Sequence, residues 1–374
     1  MRLLLDFGSI KTGGAVQLAT NFIRFFDDYP EDIEAVFLLL PELGPLARIA
    51  DNGRYEGALT YPDSYLKRKL FELTTLRQFV KANRIDTFFT FLGPGIPAPG
   101  HVRSVVSVAN ATFCYPDSPY WREVPLKMKL RSKVVHLLRR NRVNNADHVF
   151  VETNVMADRV KKYVGVAPEK ISVLPPSPSR FLSDADYADK PRREKVNFLI
   201  LSAIYIHKNL RLLPALAHEM AVQGFTNFRF VISVNKDDFR TTYSNEFDRY
   251  RPAIDAHFNF TGPIAADAIE SVYREADLMI NLSDLESFSN NYMEAWKFSL
   301  PIVCGDTDFA RHICSDSAIY VDPRNPTQAA EAVIQLAHDR SRQRAMAAAG
   351  KRLLKNLPSL EQRFELIMNK IRAV

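Results

Sequence analysis

The sequence predicts an α/β protein of two successive open, parallel-sheet units. Three observations support this. Short apolar runs alternate with longer amphipathic ones, the β-α-β rhythm of a parallel sheet. The rhythm breaks over Pro175 to Lys195, a proline-rich and charged stretch that reads as a linker, and then restarts. The 374 residues exceed one ordinary core but suit two.

In the first unit, LLLDFG (Leu3 to Gly8) reads as a buried strand ending in a glycine turn. Ala15 to Phe26 has helical spacing at Val16, Leu18, Ala19, Phe22, Ile23 and Phe26. Further strands are expected at Ile33–Leu40, Thr87–Gly93, Ser104–Asn110 and His148–Thr153. After the linker, strands are expected at Val196–Ala203, Phe228–Val234, Asp277–Ser283, Pro301–Asp306 and Ala318–Asp322. Helices are expected at Leu210–Gly224, Ala266–Ala276 and Asn325–Asp339, and an amphipathic helix closes the chain from Ser359. Ligands of such sheets bind at the C-terminal strand ends, here in an expected cleft between the two domains.

Composition excludes several classes. With 47% hydrophobic and 25% charged residues the chain is globular, not disordered. A net charge of +6 is too weak to indicate nucleic acid but suits anionic partners such as phosphates or lipids. Cys114, Cys304 and Cys314 lack metal-ligand spacing, and a sparse odd count fits a reducing compartment. The first apolar run stops at Asp6, too short for a signal-peptide core, and no stretch reaches the length of a membrane span. A cytoplasmic protein is expected.

Three strand ends carry residues suited to one ligand. DFGSIKTGGAVQ places Gly13 and Gly14 before a helix, where the backbone can approach an anion; the same pair also serves as a tight turn. It matches neither the dinucleotide fingerprint nor the P-loop. SAIYIHKNLRLL places Lys208 in the turn before a helix, as a surface lysine or a mobile charge for phosphate. DLESFSNNYMEAW puts Glu286 in a polar loop and Glu294 about one turn into the following helix. The backbone N–H groups of Ser287, Phe288, Ser289, Asn290 and Asn291 then form a helix start that attracts anions. Glu294 can accept two hydrogen bonds from a ribose diol and Glu286 can grip a second sugar, although a glutamate-capped helix start has the same look. Together the glycines, Lys208 and the glutamates suit a sugar joined to a nucleoside through a diphosphate.

From Phe258 to Leu336 the sequence resembles the donor half of the retaining glycosyltransferases of GT-B fold, in particular family 4, including their E-x7-E motif at Glu286 and Glu294. Tyr205 to Asn209 resembles their lysine turn, Gly13-Gly14 their N-terminal glycine loop, and Asn145 to Pro176 the end of their first domain. The resemblance implies two Rossmann-like doubly wound domains facing a cleft: 1–180 on the acceptor side, a linker at 181–195, a donor-binding domain at 196–357, and a last helix (358–374) returning to the first domain. It implies that Lys208 neutralises the leaving diphosphate, Glu294 binds the ribose and Glu286 contacts the donor sugar. It also implies retention of configuration, a GDP- or UDP-hexose donor, and no cofactor or divalent metal. Two departures stand out: Ser202 and Ala203 replace an arginine common before the lysine, and Ala109 and Asn110 replace a common histidine. Asn110 and Tyr115 then remain as sugar contacts. Asp306-Thr307-Asp308 forms a D-x-D, the metal motif of another transferase fold, which the resemblance leaves without a metal. A binding protein or an epimerase on the same scaffold is the alternative.

Tyr120 to Asp147 is strongly basic and carries an apolar stripe at Leu130, Val134, Leu137 and Leu138. The stripe packs on its own domain, or the helix lies on an anionic membrane through Lys127, Arg131, Arg139 and Arg140. The second reading implies a lipid-linked oligosaccharide or glycan acceptor at the inner face of the cytoplasmic membrane, in surface polysaccharide assembly. Nucleic acid is not an expected partner, since the basic stretch lacks interleaved aromatics.

Overall fold

The computed structural model describes residues 1–11, 14–26, 32–52, 55–100, 102–180, 182–187, 193–265 and 267–374. The chain divides into two compact units. Unit 1 comprises Met1–Pro116, Pro125–Ser177 and Pro358–Val374; unit 2 comprises Asp117–Val124 and Pro178–Leu357.

Unit 1 holds seven strands among the described residues: β1 (Arg2–Asp6), β2 (Ala35–Pro41), β3 (Gly57–Tyr61), β4 (Thr87–Thr90), β5 (Arg103–Val108), β6 (His148–Val151) and β7 (Ile171–Val173). Their order is β3-β2-β1-β4-β5-β6-β7, every pairing parallel. Its helices are α1 (Gly14–Arg24), α2 (Tyr65–Leu73) and α3 (Thr75–Ala82). Next in the chain come α4 (Tyr120–Glu123), which groups with unit 2, then α5 (Leu126–Asn144) and α6 (Asn154–Arg159), which return to unit 1.

The apolar runs of unit 1 are buried on both faces because successive side chains point to opposite sides. Leu3, Leu5, Val36, Leu38 and Leu40 join one core with α1; Leu4, Ala35, Phe37 and Leu39 join another with Phe71, Leu76 and Val80 of α2 and α3. That double covering is why the strands read as unbroken hydrophobic runs.

Among the described residues unit 2 holds six strands: β8 (Val196–Ile200), β9 (Phe228–Ile232), β10 (Phe258–Phe260), β11 (Leu278–Asn281), β12 (Ile302–Gly305) and β13 (Ala318–Val321), ordered β10-β9-β8-β11-β12-β13 and again all parallel. Between and after them run α7 (Leu213–Val222), α8 (Lys236–Thr242), α9 (Ser244–Arg249), α10 (Arg251–His257), α11 (Ile269–Glu275), α12 (Asn290–Lys297), α13 (Asp308–Cys314), α14 (Pro326–His338) and α15 (Arg340–Lys355). The chain leaves β8 in one direction and returns at β11 to continue in the other. The adjacent ends of β8 and β11 are therefore the topological switch point, where such sheets bind ligands.

The last helix, α16 (Leu360–Ala373), belongs to unit 1 and opens with a capping box between Ser359 and Gln362. Phe364 stacks on Phe25 at 4.7 Å and meets Phe26 edge-on at 5.1 Å, while Ile367, Met368 and Ile371 complete the same core. Among the described residues no helix is long and apolar enough to cross a membrane.

Candidate functional site

Unit 2 gathers most of the residues singled out in the sequence. Lys208 ends a short turn after β8, and Asn209 follows it at φ +54°, a left-handed conformation that asparagine tolerates better than most residues. Two hydrogen bonds fasten this turn to the end of β11. Asn209 Nδ2 donates to the Leu282 carbonyl at 2.8 Å, and Asp284 N donates to the His207 carbonyl at 2.8 Å. The turn is thereby held beside the loop carrying Glu286, and Lys208 forms an ion pair with Glu286. Both side chains are largely shielded, at 18% and 13% exposure, which raises the strength of the pair above that of a surface salt bridge.

The loop between β11 and α12 is shaped by its own short polar side chains. Asn281 Oδ1 accepts from Ser283 N at 3.1 Å, an Asx-type turn at the strand end, while Asn281 Nδ2 reaches Ser289 Oγ at 3.3 Å. Ser283 Oγ lies 2.6 Å from Asn281 Oδ1 and 3.0 Å from Glu286 Oε1, so its single proton serves one acceptor at a time. Ser289 is the N-cap of α12, and no side chain caps it. Asn291 Nδ2 donates to the Leu201 carbonyl at 2.6 Å and ties the first turn of α12 to the end of β8. Lys208, Glu286 and the start of α12 are thus joined at the switch point: an ammonium, a carboxylate and a helix N-terminus on one sheet edge.

Glu294 sits one turn into α12, as the spacing predicts. The phenol of Tyr273, fully buried in α11, donates to its Oε2 at 2.6 Å. Burial holds the Glu294 carboxyl above its usual range, and the Tyr273 bond partly offsets this. Across the site, burial also lowers the His207 imidazole, whose ring stacks on Tyr205 at 5.6 Å and meets Tyr120 of α4 at 6.2 Å.

Several site partners escaped the sequence reading. Arg324, just past β13, makes a two-pronged bond to Asp284 at 2.8 and 2.6 Å, which raises the guanidinium pKa. Ser118 Oγ donates to the Asp284 carbonyl at 3.1 Å, and Glu123 pairs with Arg211 at 2.7 Å, so Asp117–Val124 is bound into unit 2. The sequence signal for Arg324 is a cation in a strand-end turn, VDPRN, of the same kind as the Lys208 turn.

The remaining candidates lie elsewhere. Gly13 falls outside the described residues, and Gly14 opens α1. Asn110 and Tyr115 belong to unit 1. Asn110 Oδ1 accepts from Thr112 N at 3.1 Å and caps its own turn; Tyr115 is buried, with the Arg159 guanidinium 3.8 Å over its ring. Asp306 is bound twice by Arg311, at 2.5 and 2.8 Å, which holds its carboxyl below the usual range. Asp308 Oδ1 accepts from Phe309 N at 2.8 Å within the first turn of α13.

The apolar stripe of α5 does not pack on its own unit. Leu130, Val134, Leu137 and Leu138 are 57%, 63%, 69% and 43% exposed, and Val143 is the one buried residue of this 19-residue helix. Lys127 and Arg131 are exposed as well, Arg139 is half-buried, and Arg140 donates twice to the Phe113 carbonyl, at 3.1 and 3.0 Å.

Solved structures share this architecture over the whole chain. Anabaena HepE, solved with UDP and glucose, superposes with a TM-score of 0.74 at 14% identity, covering 100% of both chains. Sucrose-phosphate synthase from Thermosynechococcus elongatus gives 0.74 at 13% identity, over 100% of this chain and 99% of that one. WaaG, described as a glycosyltransferase involved in lipopolysaccharide biosynthesis, gives 0.70 at 13%, over 99% of each. The fold is GT-B. Within it, residues 186–353 match the family model described as glycosyl transferases group 1, and that stretch contains the whole Lys208–Glu286–Glu294 constellation. No curated protein matches the chain by sequence. The group 1 match over residues 186–353 supports a glycosyltransferase, and the solved neighbours show the GT-B fold.

Proposed function

We propose that the chain is a retaining, metal-independent hexosyltransferase of family 4 type, taking its sugar from a UDP- or GDP-sugar. The observation that carries this reading is the joining of Lys208, Glu286 and the α12 N-terminus at the switch point. A diphosphate needs fixed positive potential as its bond to the sugar breaks, and an ammonium beside uncapped helix N–H groups supplies it. Glu294 would take the ribose hydroxyls and Glu286 the donor sugar. HepE, of the same fold, was solved with UDP-glucose, which favours UDP.

As the C1–O bond lengthens toward an oxocarbenium-like state, Lys208 would pass from Glu286 toward the departing phosphate oxygen. The acceptor hydroxyl would attack on the face the diphosphate leaves, giving up its proton to that oxygen. No second carboxylate straddling the bond is required, unlike a glycosidase. The acceptor would be a glycan or lipid-linked oligosaccharide, reached from the inner face of the cytoplasmic membrane with α5 against anionic lipid, in surface polysaccharide or lipopolysaccharide assembly. WaaG's involvement in lipopolysaccharide biosynthesis favours that setting.

The test is product analysis by proton NMR after incubation with UDP-, GDP-, ADP- and dTDP-hexoses, with and without EDTA. The expected outcome is an axial-to-axial transfer or slow hydrolysis that EDTA leaves unchanged. An equatorial product, or turnover abolished by EDTA, contradicts the reading; interconversion of sugars without release of nucleotide indicates an epimerase.

A further inference from the structure

Two helices of unit 1 expose leucine rows of the same kind. On α2, Leu66, Leu70 and Leu73 are 79%, 65% and 60% exposed, at the 4- and 3-residue steps that align side chains along one helix face. On α5, Leu126, Leu130, Val134 and Leu137 follow the steps 4, 4 and 3 and are 72%, 57%, 63% and 69% exposed. Single exposed leucines are ordinary, whereas aligned rows on neighbouring helices mark a binding surface.

Between the two helices lies a cavity of about 570 Å³ whose polar walls include Arg68, Lys69 and Glu72 of α2 and Arg131, Arg139 and Arg142 of α5. The largely buried Glu72 carboxylate accepts from Tyr61 Oη at 2.9 Å and from Lys69 Nζ at 2.9 Å, with Arg142 at 3.4 Å. Arg68 is paired with Asp63 at 3.2 Å, so Glu72 faces four other cations and the cavity keeps a net positive charge. Burial, and to a lesser extent the nearby Arg142, lowers the Arg139 pKa.

From this we infer that α2 and α5 form one docking surface for an anionic phospholipid bilayer, the leucine rows entering the acyl boundary and the cavity between them holding lipid phosphates. This rests on the membrane-side reading of α5 given above and extends it to a second helix and a defined headgroup site. Charge selects the occupant. The α5 segment carries seven cations and no acid, so a second copy docking through the same face would set like charges against each other. Lysine and glutamate are depleted at protein interface cores, whereas lysine and arginine stems interleaved with leucine suit a headgroup layer, the chains lying along the apolar surface and the heads reaching phosphate.

Vesicle flotation of the full chain tests this, comparing phosphatidylcholine alone with phosphatidylcholine enriched in phosphatidylglycerol, with UDP binding as the folding control. Three double variants are compared: Leu66→Glu with Leu70→Glu, Leu130→Glu with Leu137→Glu, and Arg131→Gln with Arg139→Gln. The expected result is binding to anionic vesicles alone, weakened at least about tenfold by each pair, with UDP binding unchanged. If the α2 pair binds like wild type, the two-helix surface is wrong while the α5 reading stands. Retained binding by the arginine pair, or equal binding to neutral vesicles, overturns the headgroup cavity. No binding to anionic vesicles removes both. Lipid-free dimerisation that the leucine variants abolish, seen by analytical ultracentrifugation, overturns the inference in favour of a second copy.

Discussion

At the scale of single residues, two carboxyls with raised pKa set measurable pH behaviour. In the proposed donor site Glu294 would take the ribose hydroxyls as a carboxylate, and burial holds its pKa above the ordinary 4.5. Nucleotide affinity should therefore fall on acidification, starting above that value. The Tyr273 hydrogen bond lowers the same pKa, so Tyr273→Phe should move the acid limb of a UDP titration series to higher pH; a limb that stays in place would show that Glu294 does not govern it. Asp6, at the end of β1, accepts from Gly8 N at 2.9 Å and Thr90 Oγ1 at 3.0 Å, yet burial pushes it from 3.8 up to about 6. A carboxyl raised in the folded state binds its proton more tightly there than when unfolded. Its stabilising contribution is complete below pH 3.8 and is lost as pH rises through about 6. The shift corresponds to roughly 3 kcal/mol. Asp6→Asn should flatten the fall in unfolding free energy over that window relative to wild type, as read from urea titrations at a series of pH values.

At the scale of elements, α12 is positioned from behind as well as from its own loop. Trp296 is buried, donates from Nε1 to Ser317 Oγ at 2.9 Å, and packs against α15, where a Cβ on Gly350 would lie 2.4 Å from Trp296 Cδ1. Gly350→Ala should push the two helices apart, at a cost of about 1–3 kcal/mol, and weaken nucleotide binding through the displaced α12. Thermal unfolding and UDP titration would check this, and unchanged values in both would show that the contact relaxes freely. Which elements could be read from the sequence follows from their burial. The core strands β1, β2, β8 and β11 have both faces covered and stand out as apolar runs, and α12 was placed because its apolar residues share one face. β3, β7 and β10, all at sheet edges, carry only half-buried patterns and do not stand out in the sequence. On α5 the stripe itself was legible, but its exposure was not, because periodicity tells that residues share a face and not what covers it. The Asp284–Arg324 bond joins residues 40 apart in sequence and arises only when β11 and β13 are laid into one sheet.

At the scale of the whole molecule, the order of strands does the positioning. Because unit 2 winds outward from β8 in one direction and from β11 in the other, two loops distant in sequence emerge side by side, one with the ammonium and one with the carboxylate and helix start. The resemblance drawn from the E-x7-E motif and the lysine turn thus has a physical counterpart in the GT-B sheet. The most direct test of that claim is calorimetric titration of UDP and GDP into the wild-type chain, Lys208→Ala and Glu294→Ala, in EDTA. Wild type is expected to bind one nucleotide, with affinity weakened at least about tenfold by either substitution, the scale of losing one charge-assisted or paired hydrogen bond. Equal affinity in all three proteins would contradict it and place the nucleotide away from the β8–β11 switch point.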